Sequence, residues 1–301
     1  MSVLSRRAWL AAAGGLAVTA GAFSPARAID PIVRTGKAKM RLSLAAYSFR
    51  QWLDLKKKPK PDWTLHDFID FAAAQDIDAV ELTAYYFAAT TPEYLAGLKA
   101  RCTRLGLDVS GTAVGNNFCV TDPAKLRAEI DMVKAWVEHT SRLGGKAIRI
   151  FAGTLAKGDN EDAARQRCVA AIQEACDHAA KYGIYLALEN HGGITAKAEQ
   201  LLAIVTAVKH DAFGVNLDSG NFRTADPYGD LAKIAPYAVN AQIKTEITAT
   251  GKATEEADLK RLVQMLRTAN YRGYVALEYE AKEDAKVAVP RYLAELKKLL
   301  E

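Results

Sequence analysis

A closed (β/α)8 TIM barrel is the fold this sequence predicts, on three observations. Short apolar segments of strand length alternate with amphipathic helical segments eight times from residue 41 onward, a pattern that favours a parallel sheet covered by helices. Eight such units fit the roughly 250 residues usual for the barrel. No composition shift, short repeat or low-complexity tract divides them. The alternative, an open doubly wound sheet, needs a topological switch point that the pattern does not reveal.

The elements follow in order. Residues 1–28 read as an export signal: Arg6-Arg7 lies ahead of an apolar run to about Phe23, and Ala26-Arg27-Ala28 supplies a small-residue cleavage site. The paired arginines point to the twin-arginine export machinery and a periplasmic location. The apolar run is too short for a membrane anchor. Residues 29–40 read as a linker and 41–301 as the barrel. The first strand, 41–49, alternates with Ser43, Ala45 and Tyr47 on one face. Thr64-Leu65-His66-Asp67 resembles a capping box ahead of Phe68, Ile69 and Ala72 at helical spacing. A strand at 79–82, a helix opened by Thr91-Pro92 and a strand at 107–112 come next. Asp122-Pro123 opens a long helix that stops at Gly144-Gly145. Strands at 147–151, 184–189, 214–218, 239–244 and 274–278 then alternate with helices at 161–182, 196–208, 227–235 and 255–269. A last helix begins near Glu283 and should kink or break at Pro290.

The later strands share a design. Tyr185-Leu186-Ala187-Leu188-Glu189-Asn190-His191-Gly192-Gly193 is an apolar strand running into a polar, glycine-loosened loop. Gly214–Asp218, Asn240–Lys244 and Tyr274–Glu278 repeat it. Side chains alternate along a strand, so Asn216 shares a face with Asp218, Gln242 with Lys244, and Ala276 with Glu278. Active sites of such barrels lie at the carboxyl ends of the strands, where Glu189, Asp218, Gln242 and Glu278 all fall. Three gathered carboxylates repel one another without a cation, and an oxygen-only set suits Mn²⁺ or Mg²⁺, with Co²⁺ a further option. These four are therefore the candidate metal ligands. The bland reading, that each carboxylate caps a loop or pairs with Lys244 or Arg149, suits any one of them better than all four.

With Ala187-Leu188-Glu189-Asn190-His191-Gly192, Asn216-Leu217-Asp218-Ser219-Gly220-Asn221 and Leu277-Glu278-Tyr279-Glu280, the chain resembles the xylose-isomerase-like sugar isomerase/epimerase superfamily over essentially its whole mature length. The resemblance implies one divalent ion, commonly Mn²⁺, held by Glu, Asp, His and Glu from successive strands. Glu189, Asp218 and Glu278 match; Gln242 stands where the family usually has His, and Asn221 where many of its epimerases do. It further implies that Glu189 and Glu278 flank the substrate, one removing a carbon-bound proton and the other returning it. Lys244 could polarise a carbonyl oxygen and His191 could shuttle a proton, so both join the catalytic candidates; a salt bridge and a loop histidine are the plain alternatives. Glu81, Arg149 and Asn116 could hydrogen-bond sugar hydroxyls, and Trp52 and Tyr85 could stack on a sugar face.

Other totals narrow the function. Cleavage after Ala28 removes three arginines and no acid, taking the formal charge from +5 to +2. That balance gives no basic surface for nucleic acid or membrane, and a related repair endonuclease would need more strand-end histidines than His191. Cys168 and Cys176 lie two helical turns apart, too far to bridge, so free thiols are expected. The partner is then a small carbohydrate, unphosphorylated because the protein is exported. The leading reading is a metal-dependent isomerase or epimerase. A keto-sugar lyase or hydratase using the same enolate, and a non-catalytic sugar-binding barrel, are the alternatives.

Overall fold

The computed structural model describes residues 30–56 and 61–301; the expected export signal lies outside the described residues. Eight parallel strands close into a barrel: β1 (Lys39–Ala45), β2 (Ala79–Thr83), β3 (Asp108–Ala113), β4 (Ala147–Ile150), β5 (Tyr185–Glu189), β6 (Phe213–Asp218), β7 (Ala238–Ile243) and β10 (Arg272–Leu277). Between the last two, β8 (Glu246–Ile247) and β9 (Glu255–Glu256) form a short antiparallel ribbon. The helices are α1 (Arg50–Leu53), α2 (Leu65–Ala73), α3 (Pro92–Arg104), α4 (Pro123–Leu143), α5 (Glu161–Ala180), α6 (Ala198–Ala207), α7 (Pro227–Ile234), α8 (Leu259–Thr268) and α9 (Ala285–Leu300). Among the described residues no helix is long and apolar enough to cross a membrane.

Two kinds of strand residue build the barrel. Leu82, Ile148, Ile150, Leu186, Leu188, Val215, Leu217, Ile243 and Leu277 are buried in one apolar cluster with the helix faces. Their alternates, including Glu81, Arg149, Glu189, Asn216, Asp218, Asn240 and Gln242, are equally buried yet polar. The alternation thus separates an apolar shell from a polar lumen. The segment before β1 is fastened to the barrel: Asn270 donates its side-chain amide to the carbonyls of Arg34 and Gly36, both at 2.8 Å.

Several local expectations hold. Thr64 and Asp67 form the capping box of α2, the Thr64 N–H donating to Asp67 Oδ2 at 2.8 Å. Asp122 caps α4, and Gly144 ends it with a left-handed φ of 83°. All four cysteines are buried and free.

Three expectations are corrected. The first strand stops at Ala45, and Ala46–Phe49 forms a 3-10 turn. Ser48 anchors that turn by accepting the Tyr279 N–H at 2.9 Å. The helix expected from 255 begins only at Leu259, because Asp258 is its cap and accepts the Arg261 N–H at 2.8 Å. Pro290 does not break α9, which runs as one helix across it. Proline there frees only the Lys286 carbonyl, and Lys286 is exposed, so water can satisfy it.

Candidate active site at the barrel mouth

Strand stagger decides which strand-end residues meet. Asp218 pairs in register with Gln242, but Glu189 pairs with Asn216, and Gln242 pairs with Ala276, two residues before Glu278. The four residues expected at equivalent positions are therefore not level. Gln242 sits within a closed ring of buried side chains. Its Nε2 donates to Glu81 Oε1 at 2.5 Å and its Oε1 accepts from Asn216 Nδ2 at 2.6 Å. Asn240 closes the ring, donating to Asn216 Oδ1 at 2.8 Å and Glu81 Oε2 at 2.9 Å. Each amide orientation is forced by its neighbours. Burial pushes the Glu81 carboxyl above its ordinary range, and the Asn240 bond pulls it back.

A second cluster joins the ends of β4 to β10. Arg149 Nε lies 2.8 Å from Glu189 Oε2, a pair almost wholly buried. The other Glu189 oxygen accepts from Asn221 Nδ2 at 2.7 Å, and Asn221 Oδ1 accepts from Lys244 Nζ at 3.1 Å. The Lys244 ammonium also lies 3.2 Å from Asp218 Oδ2 and 2.7 Å from Glu280 Oε1. The remaining Asp218 oxygen accepts the Gly220 N–H at 2.9 Å. Asn190 fixes the same strand end, holding the Asp218 backbone through its N–H and carbonyl, each at 2.9 Å.

The titration of these groups follows from their surroundings. Burial raises the Glu189 carboxyl to about 7, although Arg149 pulls it down. Burial likewise lifts Glu278 well above its ordinary value, with Lys244 as its main compensating charge. Burial alone would lower Lys244, but Asp218 and then Glu278, Glu280 and Glu189 outweigh it and hold the ammonium protonated. The cluster therefore combines a fixed cation, two carboxylates that burial pushes toward their protonated forms, and a bridging amide.

A divalent ion needs several oxygens converging on one point. Here the Gln242 oxygen is turned into the ring with Asn216, Glu189 faces Arg149 and Asn221, and Asp218 faces Lys244. Among the described residues no group of three or more His, Cys, Asp or Glu side chains is placed to hold a metal ion. The expected ligand set of Glu189, Asp218, Gln242 and Glu278 does not fit such an ion as arranged. The amide is drawn away by its ring, and an ammonium already faces the aspartate.

The substrate-binding candidates divide. Tyr85 lies at the site, close enough to Arg149 to interact with it electrostatically, and is packed over Gly115, where a Cβ would fall 2.7 Å from its hydroxyl. Arg149 also lies over the Phe151 ring at 4.0 Å, and His191 stacks on that ring at 4.1 Å. Glu81 belongs to the amide ring rather than to Arg149. Asn116 uses both ends of its amide on the Phe151 backbone, at 2.7 and 2.9 Å, and so clamps two loops together. Trp52 is drawn into an aromatic stack with Phe49 and Trp63 and covered by the Lys286 ammonium at 4.9 Å. Sequence reasoning gave no role to Glu280 or Asn240, and treated Asn221 only as a departure from the family pattern. The alternation Glu278-Tyr279-Glu280 beside Lys244 was the available signal for Glu280.

Lys244 and Glu280 line a cavity of about 200 Å³ with Asn221, Arg223, Glu246 and Thr248. A larger cleft of about 640 Å³ adjoins it at Asn221 and Arg223. Asp218, wholly buried, is shielded from the cavity by the ammonium.

The family described as xylose isomerase-like TIM barrel matches residues 69–299. No curated protein sequence matches the chain. Solved structures that share the fold include a xylose isomerase domain protein from Planctomyces limnophilus, 19% identical, with a TM-score of 0.65 over 88% of this chain and 96% of that one. A D-psicose 3-epimerase from Clostridium cellulolyticum H10 is 15% identical, with a TM-score of 0.69 over 87% and 100%. A 3-keto-D-glucoside 4-epimerase from E. coli is 16% identical, with a TM-score of 0.65 over 87% and 100%.

Proposed function

Since the chain belongs to the xylose isomerase-like TIM barrel family, we propose that it is a sugar isomerase or epimerase that moves a proton on the carbon beside a sugar carbonyl. The observation that carries this reading is one largely buried ammonium, Lys244, set among carboxylates whose environment lifts Glu189 to about 7 and Glu278 well above its ordinary value. A general base works best with a pKa near the working pH, so the ionised Glu189 is the proton acceptor. Glu278, whose burial favours the protonated form, returns a proton to the substrate. Lys244 donates a hydrogen bond to the carbonyl oxygen, exchanging its contact with Glu280 for one to the developing enediolate. Arg149 keeps part of the Glu189 population ionised and fixes its orientation.

The names of the structural neighbours, a D-psicose and a 3-keto-glucoside epimerase, accord with ketoses or keto-glycosides as substrates. The export expected from the first 28 residues favours an unphosphorylated sugar. Incubating the purified protein with D-fructose, D-psicose, L-ribulose and a 3-keto-glucoside in deuterated water tests the reading. Deuterium should enter the carbon next to the carbonyl, in recovered substrate or in its epimer. Loss of a substituent would assign a lyase instead, and binding without exchange would leave a sugar-binding barrel.

A further inference from the structure

The loop after β6 is shaped around one side chain. Asp218 Oδ2 faces the Lys244 ammonium at 3.2 Å, Ser219 Oγ accepts the Lys244 N–H at 2.8 Å, and Asn221 Oδ1 accepts from Nζ at 3.1 Å. Gly220 completes the cradle by having no side chain: a Cβ there would lie 2.7 Å from Lys244 Cδ and 3.0 Å from its Cβ. Four consecutive residues thus serve the backbone, the stem and the head of one lysine. From beyond the end of β10, on the other side of β7, Glu280 meets the same ammonium at 2.7 Å, although it was no part of the expected ligand set.

We propose that Lys244 is the resident cation of this barrel mouth, standing where a divalent ion would otherwise be held, and that its ammonium keeps such ions out. The argument is one of shared oxygens. A dication on Asp218 Oδ2 would have to share that atom with an ammonium, and like charges so close in a buried site repel strongly. The Gln242 amide cannot swing toward the dication without leaving the Glu81 acceptor and the Asn216 donor of its ring unpaired. Glu189 would have to give up its contact with Arg149 or with Asn221. The contacts that Asp218, Gln242 and Glu189 make here are therefore ones that a metal cage would break. The inference stands whatever the substrate is, because it concerns which cation the protein itself holds.

Manganese binding is the test, read by titration calorimetry and by the electron spin resonance of free Mn²⁺, with no substrate present. The wild-type chain should show no saturable uptake up to about 1 mM. Lys244→Met keeps the stem and removes the charge, so it should bind one equivalent at least about tenfold more tightly. Adding Asp218→Asn to that variant should abolish the gain. Lys244→Arg, which keeps a cation in the cradle, should behave as wild type, and circular dichroism checks that each variant is folded. If Lys244→Met does not fold, Lys244→Gln takes its place, and the wild-type titration decides by itself. One equivalent of micromolar Mn²⁺ in the wild-type chain would overturn the proposal. So would a charge-free folded variant that gains nothing.

Discussion

A methyl group at Gly220 is the smallest change that addresses the site. Its carbon would fall 2.7 Å from Lys244 Cδ, so Gly220→Ala should push the ammonium out of line while the barrel stays folded. A displacement on the order of 1 Å in a positioned catalytic group costs about 10²-fold in rate. We expect that loss in kcat for carbon-bound proton exchange, with an unchanged circular dichroism spectrum. The acid limb of the pH profile follows from Glu189. Its folded carboxyl is raised to about 7, so the base form accumulates, and exchange rises, as pH increases through that value. Arg149 lowers that carboxyl; Arg149→Met should therefore move the inflection upward and reduce the rate at pH 7. An inflection that stayed in place would remove Glu189 from the role of base. Deeper in the lumen, Glu81→Leu strands donors of Gln242 and Asn240 and should destabilise the fold by about 2–5 kcal/mol in denaturant titrations. At this scale the carboxylates were legible, because alternation and strand ends are local properties. Gln242, Trp52 and Asn116 were misplaced, because their partners Glu81, Trp63 and Phe151 come from other elements.

Elements were read more securely than side chains, since capping and glycine stops act within a few residues. Asp122 accepts the N–H groups of Ala124 at 2.9 Å and Lys125 at 3.1 Å. Asp122→Ala should accordingly cost about 1 kcal/mol in a thermal melt, with activity unchanged. The misread boundaries have one cause. A helix was expected from Glu255, yet the loop after β7 turns back and pairs β8 with β9 before Asp258 opens α8. That ribbon supplies Glu246 to the cavity and is flanked by Thr248 and Thr254, bonded to each other at 2.8 Å. The first strand ended early for a similar reason. Ser48 and Arg50 are taken up by the backbone at the end of β10, with Arg50 donating to the Tyr279 carbonyl at 3.0 Å.

Over the whole molecule, closure of the barrel turns a one-dimensional pattern into a site. Residues as far apart as Glu81 and Gln242 share a hydrogen bond only because β1 meets β10 and the sheet has no edge. The sequence pattern predicted that closure from the count of units, but not the stagger that places Asp218 level with Gln242 and sets Glu189 and Glu278 off that level. The stagger separates a lumen of amides from a mouth of acids around one ammonium. Mass spectrometry of ketoses recovered from deuterated water tests the function of that mouth most directly. One deuterium should enter beside the carbonyl with the wild-type protein, and none with Glu189→Gln. Folded wild-type protein that leaves every sugar of the panel unlabelled would contradict the account.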